Sequence, residues 1–208
     1  MPVLSAHGHR LALGALLLCA AHPAPAEPAR YELDPEHLTI AFLVEHIGYA
    51  KTLGAFRDAS GSFTFDDATG ALAAVRVVVA TASVDTAHEA RDGHLTSGDF
   101  LDSAAHPTMI FTATGAERTG ERTFTIRGEL ALLGTRKPLT LEATWNKSAP
   151  YPIGPRTEVI GVSARGRLAR SAFGMSYGVD NGLVGDDVEI IIELEARRVS
   201  NQGPQPTE

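Results

Sequence analysis

Apolar and polar residues alternate with a period of two along most of this chain, and this alternation constrains the fold more than any other feature. Successive side chains of a β-strand point to opposite faces of its sheet, so the pattern predicts strands with one apolar and one polar face. The clearest apolar rows, near the two ends of the chain, are Leu38, Ile40, Phe42 and Val44, and Val188, Ile190, Ile192 and Leu194. About eight such stretches occur, and they predict an all-β domain of antiparallel strands.

Two architectures bury the apolar faces of such strands, a sandwich of two sheets and a closed barrel. A barrel of about eight strands can enclose one small ligand. Strands of about ten residues span ~33 Å, which gives a long, narrow interior suited to an extended apolar chain. An outer-membrane barrel would carry aromatic girdles on an apolar outer face. Aromatic residues make up only 6% of this chain, which disfavours that third architecture.

The alternation is interrupted between Ser83 and Pro107. Thr86 is followed three residues later by Glu89, a capping box that predicts a short helix in the 84–106 region, capped by Thr86 and ending near Gly93. The same segment concentrates residue types used in acid–base and metal chemistry, namely Arg91, Asp92, His94, Asp99, Asp102 and His106.

The spacing of these residues does not match a metal or nucleophile motif. His88 and His94 are six residues apart and would point to different sides of a helix, while His37 and His46 fall on opposite faces of one strand. Neither H-E-x-x-H nor G-x-S-x-G is present. We therefore interpret the segment as a hydrogen-bonded network that closes one end of the barrel, with head-group contact and catalysis as alternatives.

The first 26 residues have the order of a secretory signal peptide. Arg10 supplies the positive charge, residues 11–21 form a short apolar run, and Ala24-Pro25-Ala26 offers a cleavage site. We expect cleavage after about Ala26, a single domain over residues 27–199 and a polar C-terminal tail over residues 200–208.

Composition disfavours cysteine-based chemistry and nucleic-acid binding. The only cysteine, Cys19, lies within the signal, so the exported protein would have neither a disulfide nor a cysteine-ligated metal. The net charge of −7 and the lack of a lysine/arginine run make nucleic acid a poor partner.

Four stretches carry a resemblance to a known family: YELDPEHLTIAFLVEHIGYAKTLGAF, SVDTAHEARDGHLTSGDFLDSAAHPTMIF, RGELALLGTRKPLTL and RLARSAFGM. In this order and spacing they resemble successive motifs of the YceI-like family, over Tyr31 to about Arg198. The resemblance implies a lipocalin-like barrel, location in the bacterial periplasm and binding of polyisoprenoid lipids. The ligand class comes from the resemblance alone, since the alternation predicts only a β protein with an elongated interior.

Within such a barrel, alternate residues of several strands would line the lipid cavity. The predicted ligand-binding residues are Leu38, Ile40, Phe42, Val44, His46, Phe111, Ile126, Trp145, Phe173 and Ile190. The predicted polar rim or structural network is Arg91, His94, Asp99 and Arg170. His46 continues the inward row of its strand and would end near one mouth of the cavity. We predict no catalytic residue, no metal and no cofactor.

Three functions remain in competition. The leading hypothesis is an exported binding protein for a long-chain isoprenoid lipid or a related amphiphile such as a quinone, with transient membrane contact for exchange and a homodimer left open. The second is a hydrolase-like enzyme that uses His46 or His94 as a general base on a lipid or prenyl substrate. The third is a secreted interaction module with a filled core and no ligand. Small residues at inward positions argue weakly against it, because they leave space inside the barrel; they are Ala41, Gly128, Ala143 and Ala164.

Overall fold

A computed structural model describes residues 28–154 and 156–199. The strands of this part of the chain are β1 Ala29–His46, β2 Ala50–Phe56, β3 Ala59–Asp66, β4 Ala71–Ala80, β5 Val84–Asp85, β6 Thr108–Ala113, β7 Glu117–Arg118, β8 Thr123–Leu132, β9 Thr135–Pro150, β10 Glu158–Ala169 and β11 Val184–Arg198. One α-helix, α1, spans Glu89–Leu95, and two 3-10 helices span Thr81–Ser83 and Arg170–Phe173.

Eight of the strands form a closed antiparallel barrel. Their order around the barrel is β1-β3-β4-β6-β8-β9-β10-β11, and β11 pairs back with β1. The predicted all-β, lipocalin-like barrel with one short helix is therefore confirmed. The sandwich alternative is wrong, because pairing between β1 and β11 leaves no break that would divide the strands into two sheets.

Strand β1 is long enough to pair with two partners along the same side. Residues 29–32 pair with β3, and residues 40–46 pair with β2 in a hairpin. Between the two regions, the register with β11 shifts from Leu33 to Leu38, so the chain bulges there. Strands β2 and β3 thus follow one another along β1, and the hairpin of β1 and β2 extends one end of the barrel.

The apolar row of β1 faces the interior, where it meets the apolar row of β11. Phe42 lies opposite Ile190, and Ile40 lies opposite Ile192. Phe42 also lies across from Gly54 of β2, where a Cβ atom would come within 2.2 Å of the ring. Gly128 makes room for Phe111 in the same way, since a Cβ there would come within 2.4 Å of that ring. The inward aromatic rings thus occupy space that these strand glycines leave open.

The two ends of the barrel differ in their connections. We call the end where β1 begins the floor and the end where β1 finishes the mouth. Helix α1, both 3-10 helices and the loop 174–183 all connect strands at the mouth. Thr81 ties this region together, because its N–H donates to the carbonyl of Pro107 and its hydroxyl donates to the carbonyl of His106.

Helix α1 is present where the sequence predicts it, but its boundaries differ. His88, not Thr86, caps its N-terminus and accepts a hydrogen bond from the Arg91 N–H. Thr86 cannot act as the cap because its hydroxyl is already bonded to Asp92 and Arg91. The helix also continues past the exposed Gly93 to Leu95. Among the described residues, no helix is long and apolar enough to cross a membrane.

Candidate functional site

A cavity of about 660 Å³ occupies the interior of the barrel. Every barrel strand contributes to its lining, and most of the lining side chains are aliphatic or aromatic. Its size lies within the range of about 300–1,000 Å³ typical of sites for small organic ligands.

The floor of the cavity is aromatic. The rings of Phe65 and Trp145 meet edge to face with centroids 5.2 Å apart, and Phe124 meets Phe65 in the same manner at 6.3 Å. All three residues line the cavity. Below them, the guanidinium of Arg122 lies 5.7 Å from the centre of the Trp145 ring. The floor therefore offers apolar surface to whatever enters.

The charged and hydroxyl-bearing lining groups lie at the opposite end. They are Glu45, His46, Thr52, His88, Arg91, His94, Arg170 and Tyr177, which come from the β1–β2 hairpin, α1, the second 3-10 helix and the loop after it. The cavity is therefore polarised along its length, with an apolar floor and a polar mouth. Such an interior matches an amphiphile whose tail enters first.

Arg170 fixes the geometry of the mouth. It is 2% exposed, and its guanidinium donates to four backbone carbonyls, those of Met175, Tyr177, Val184 and Gly185, over 2.7–2.9 Å. Its plane also lies 5.6 Å from the centre of the Phe100 ring. Burial lowers the pKa of Arg170 from its usual value, while the nearby Asp186 opposes that shift. Arg170 thus joins the loop 174–185 to the segment after α1.

Of the six polar residues that the sequence singles out between 91 and 106, four belong to two small hydrogen-bonded groups. Arg91 donates to the hydroxyl of Thr86 at 2.7 Å and to its carbonyl at 2.9 Å, and Asp92 accepts from the N–H of Thr86 at 2.9 Å. His94 Nε2 donates to Asp99 at 2.8 Å. The His94 ring meets Phe100 and Tyr177 edge to face, with centroids 5.0 and 4.9 Å away.

The structure brings together most of the residues that the sequence predicts for the site. Those that line the cavity are Leu38, Ile40, Phe42, Val44, His46, Phe111, Ile126, Trp145 and Ile190, together with Arg91, His94 and Arg170. Asp99 is exposed and reaches the cavity only through His94. The contact of any of these residues with a ligand stays a prediction.

Phe173 is misplaced in the sequence analysis. It is buried, but it packs in the core and is not among the cavity-lining residues. The alternation of strand β10 ends at Ala169, and Phe173 lies beyond it in the 3-10 helix Arg170–Phe173, where a period of two no longer predicts which way a side chain points. The same turn buries Met175, a lining residue that the alternation did not reveal.

A polar group that the sequence analysis missed lies at the bulge of β1. Asp34 is 5% exposed and accepts hydrogen bonds from Arg197 at 2.7 Å, from His37 at 2.9 Å and from the Glu36 N–H at 3.1 Å. Burial raises the pKa of Asp34, but the hydrogen bonds from His37 and Arg197 outweigh it and leave the pKa below its ordinary value. The hydrogen bond to Asp34 raises the pKa of His37.

Asp34, Glu36 and His37 are close enough for their ligand atoms to lie within 4.8 Å of one another. The guanidinium of Arg197 already shares the buried carboxylate with His37, and Arg197 would repel a metal ion there. We interpret the group as an ion-pair link between β1 and β11. The only sequence signal for it is the polar run Asp34-Pro35-Glu36-His37 within an otherwise alternating strand.

Comparison with known proteins places the chain among related sequences. Residues 31–196 match the family described as the YceI-like domain. A UPF0312 protein of Azotobacter vinelandii is 39% identical over 190 residues, which cover 90% of this chain and 95% of that protein. Protein YceI of Escherichia coli O157:H7 is 37% identical over 172 residues, which cover 82% and 87% of the two chains.

Solved structures share the fold. The crystal structure of Burkholderia cenocepacia BcnA aligns with a TM-score of 0.70 at 20% identity, over 78% of this chain and 98% of that one. A polyisoprenoid binding domain from Saccharophagus degradans, implicated in plant cell wall breakdown, aligns with a TM-score of 0.62 at 14% identity, over 83% of this chain and the whole of that one.

Proposed function

This chain belongs to the YceI-like family, and from that membership we propose that it is an exported binding protein for a long-chain polyisoprenoid or a related amphiphilic lipid such as a quinone. The lipid would be held in the barrel for storage, transport or stress response. The Saccharophagus degradans domain, named as a polyisoprenoid binder, supports the ligand class by sharing the barrel.

The observation that carries this proposal is the polarity of the cavity. Aromatic side chains form the floor, and the charged and hydroxyl-bearing lining groups lie at the mouth. A lipid tail inside the barrel would leave water, while its head group would remain among polar partners. Arg91 and His94 are the lining groups of α1 best placed to meet such a head group.

Burial of the tail can supply useful affinity without any directed contact. Ten methylene equivalents at ~0.8 kcal/mol each contribute about 8 kcal/mol. That value corresponds to roughly micromolar binding before the cost of ordering the ligand is subtracted. Because the tail is recognised only as apolar volume, we expect broad tolerance of chain length and modest discrimination between head groups.

Export completes the proposal. The predicted signal peptide, residues 1–26, and the predicted polar tail, residues 200–208, both lie outside the described residues. We propose cleavage after about Ala26 and a periplasmic location, with residues 27–199 as the folded domain. The intact mass of the protein recovered from a periplasmic extract would give the cleavage site directly.

The experiment that tests the binding proposal is native mass spectrometry of the protein purified from its own periplasm. We expect a stoichiometric mass beyond that of the polypeptide, which disappears on denaturation and extracts into solvent as a long prenyl chain. A protein that is purified without a ligand and binds neither quinones nor polyprenols in titration would overturn the proposal and favour the ligand-free module.

One observation favours hydrolysis as a second candidate. His94 lines the cavity and is oriented by Asp99, as a general base would be. In the described part of the chain, however, the cavity lining contains no serine, cysteine or lysine that could act as a covalent nucleophile. If the protein were a hydrolase, His94→Ala would abolish turnover of a prenyl ester and leave lipid binding intact.

A further inference from the structure

Exposed apolar residues are concentrated around the mouth of the barrel. Among the described residues, Ile47, Tyr49, Tyr177 and Leu183 are 44%, 90%, 43% and 40% exposed. We call these four residues the mouth rim. All except Tyr49 also line the cavity, so apolar surface continues from inside the barrel onto its outer edge.

The rim is built from two segments held against each other. The β1–β2 hairpin carries Ile47 and Tyr49, and the loop before β11 carries Tyr177 and Leu183. The Ile47 N–H donates to the Leu183 carbonyl at 3.2 Å, and the Tyr49 N–H closes the turn on the His46 carbonyl at 3.1 Å. The rim is therefore a fixed surface of the mouth.

Ile47 has a backbone conformation that does not suit its side chain. Its φ is +51°, followed by Gly48 at +71°, in a tight turn where Asn-Gly or Asp-Gly would be preferred. Leu133 and Gly134 adopt the same pair of φ values in the β8–β9 turn, but Leu133 packs against the core. Ile47 is 44% exposed, so packing within this chain accounts for only part of the apolar surface at that strained position.

The charges near the rim distinguish an anionic lipid surface from a neutral one as its partner. Glu45 and Asp180 are exposed beside the rim, and the nearby Lys51 is paired with Glu189. In the described segments that carry the rim, 45–53 and 174–183, Lys51 is the only lysine or arginine. The arginines of the mouth, Arg91 and Arg170, are hydrogen-bonded within the protein, so the rim offers no cluster of cations to anionic head groups. A projecting apolar tip with a tyrosine, by contrast, suits the interfacial layer of a neutral bilayer.

We propose that the mouth rim inserts into the surface of a lipid bilayer, so that the ligand passes between the bilayer and the cavity without crossing water. The inference deepens the proposed function and rests on it for the lipid nature of the ligand. A long apolar chain is poorly soluble in water, so a mouth in contact with the bilayer would spare the ligand that unfavourable passage through water. Among the described residues, Tyr49 is the rim residue through which docking can be tested without touching the cavity.

The test measures binding of the full chain to phosphatidylcholine vesicles by co-flotation. We expect Tyr49→Asp to lower the partition coefficient by about tenfold or more, because a charge replaces an inserted ring. The matched control is Ile153→Asp, since Ile153 is 77% exposed, does not line the cavity and lies at the floor end. That variant should bind vesicles as the wild type does.

A second variant gives a direct readout of insertion. Tyr49→Trp should show a blue shift of tryptophan emission on phosphatidylcholine vesicles, whereas Ile153→Trp should not. Partial replacement of phosphatidylcholine by phosphatidylglycerol should not strengthen binding, given the acidic groups beside the rim.

Three results would overturn the proposal: no binding of the wild type, equal binding of Tyr49→Asp, or binding that requires phosphatidylglycerol. A second copy of this chain would instead be the occupant if the wild type stayed off vesicles and sedimented as a dimer that Tyr49→Asp dissociates. Failure of the ligand proposal would be seen separately, as an empty cavity in native mass spectrometry of a protein that still floats with vesicles.

Discussion

Gly54 shows how one residue without a side chain shapes the cavity. The ring of Phe42 lies over it, so an added Cβ would sit 2.2 Å from the ring. We expect Gly54→Ala to lower the free energy of unfolding by about 1–3 kcal/mol, because the ring must move or the strands must separate. Urea denaturation measures the change.

The control for this prediction is Gly93→Ala on α1. Nothing lies within 4 Å of a Cβ at Gly93, and alanine is a better helix former than glycine, so this variant should gain up to about 1 kcal/mol. Similar losses in the two variants would show that the crowding at Phe42 does not matter.

His37 and Asp34 make stability depend on pH in opposite directions. The raised pKa of His37 means that its contribution is complete below about 6.5 and disappears as the pH rises through the folded value. The lowered pKa of Asp34 means that its contribution is complete above about 3.9 and disappears as the pH falls through the folded value. Between these limits both groups stabilise the link from β1 to β11.

We therefore predict that the Tm of the wild type falls between about pH 6 and pH 8 by more than that of His37→Gln. Glutamine can still donate a hydrogen bond to Asp34 but does not titrate. Thermal denaturation followed by circular dichroism at several pH values makes the comparison. Parallel curves for the two proteins would mean that His37 does not titrate against Asp34.

Among the elements, the second 3-10 helix is the one whose loss would open the mouth. The guanidinium of Arg170 donates to four backbone carbonyls, and Arg170→Met removes that donor from all four. We expect a loss of about 3 kcal/mol or more in the free energy of unfolding. Arg170→Lys should recover little of it, since an ammonium cannot span acceptors that the planar guanidinium reaches.

A surface arginine provides the comparison. Arg165 is paired with Glu193 on the exposed face of β10, and Arg165→Met should cost no more than about 1 kcal/mol. Equal costs for the Arg165 and Arg170 variants, measured by urea denaturation, would contradict the role assigned to the buried residue.

The elements that the sequence predicts well are those with a regular period. Leu38, Ile40, Phe42 and Val44 face the cavity because β1 keeps its alternation, and the same holds for Ile190 on β11. The prediction is wrong where the period ends: Phe173 follows a turn that begins at Arg170. The Thr86 cap is wrong because the hydroxyl has a stronger local partner in Asp92.

Other parts of the site have no local signal at all. Asp34 and Arg197 are 163 positions apart, and only closure of the barrel brings them together. The mouth rim likewise combines a hairpin and a loop from the two ends of the domain. Alternation predicts which residues of a strand face the interior, but it does not predict which of those residues lie together at the same end of the barrel.

At the scale of the whole molecule, the decisive property is the separation of an apolar interior from a polar exterior. Phe42→Asp places a charge within the cavity, where it would have no partner, so we expect the ligand to be lost. The matched variant is Leu53→Asp on the paired strand, because Leu53 is 58% exposed and does not line the cavity. It should retain the ligand.

Native mass spectrometry reports the ligand, and circular dichroism establishes that each variant is folded. A folded Phe42→Asp protein that still carries lipid would show that this residue does not meet the ligand. Loss of ligand from both variants would point instead to a general effect of added negative charge on the barrel.

Closure of the barrel has a consequence for the order of events in synthesis. The pairing of β1 with β11 joins the first and last described strands, so Tyr31 and Arg198 become neighbours. Such contacts between distant parts of a chain slow folding, typically to milliseconds or seconds. They also leave β1 without one of its partners until β11 has been made. The enclosed space therefore forms only once β11 has been made, so a ligand of the kind proposed above would enter after translation and not during it.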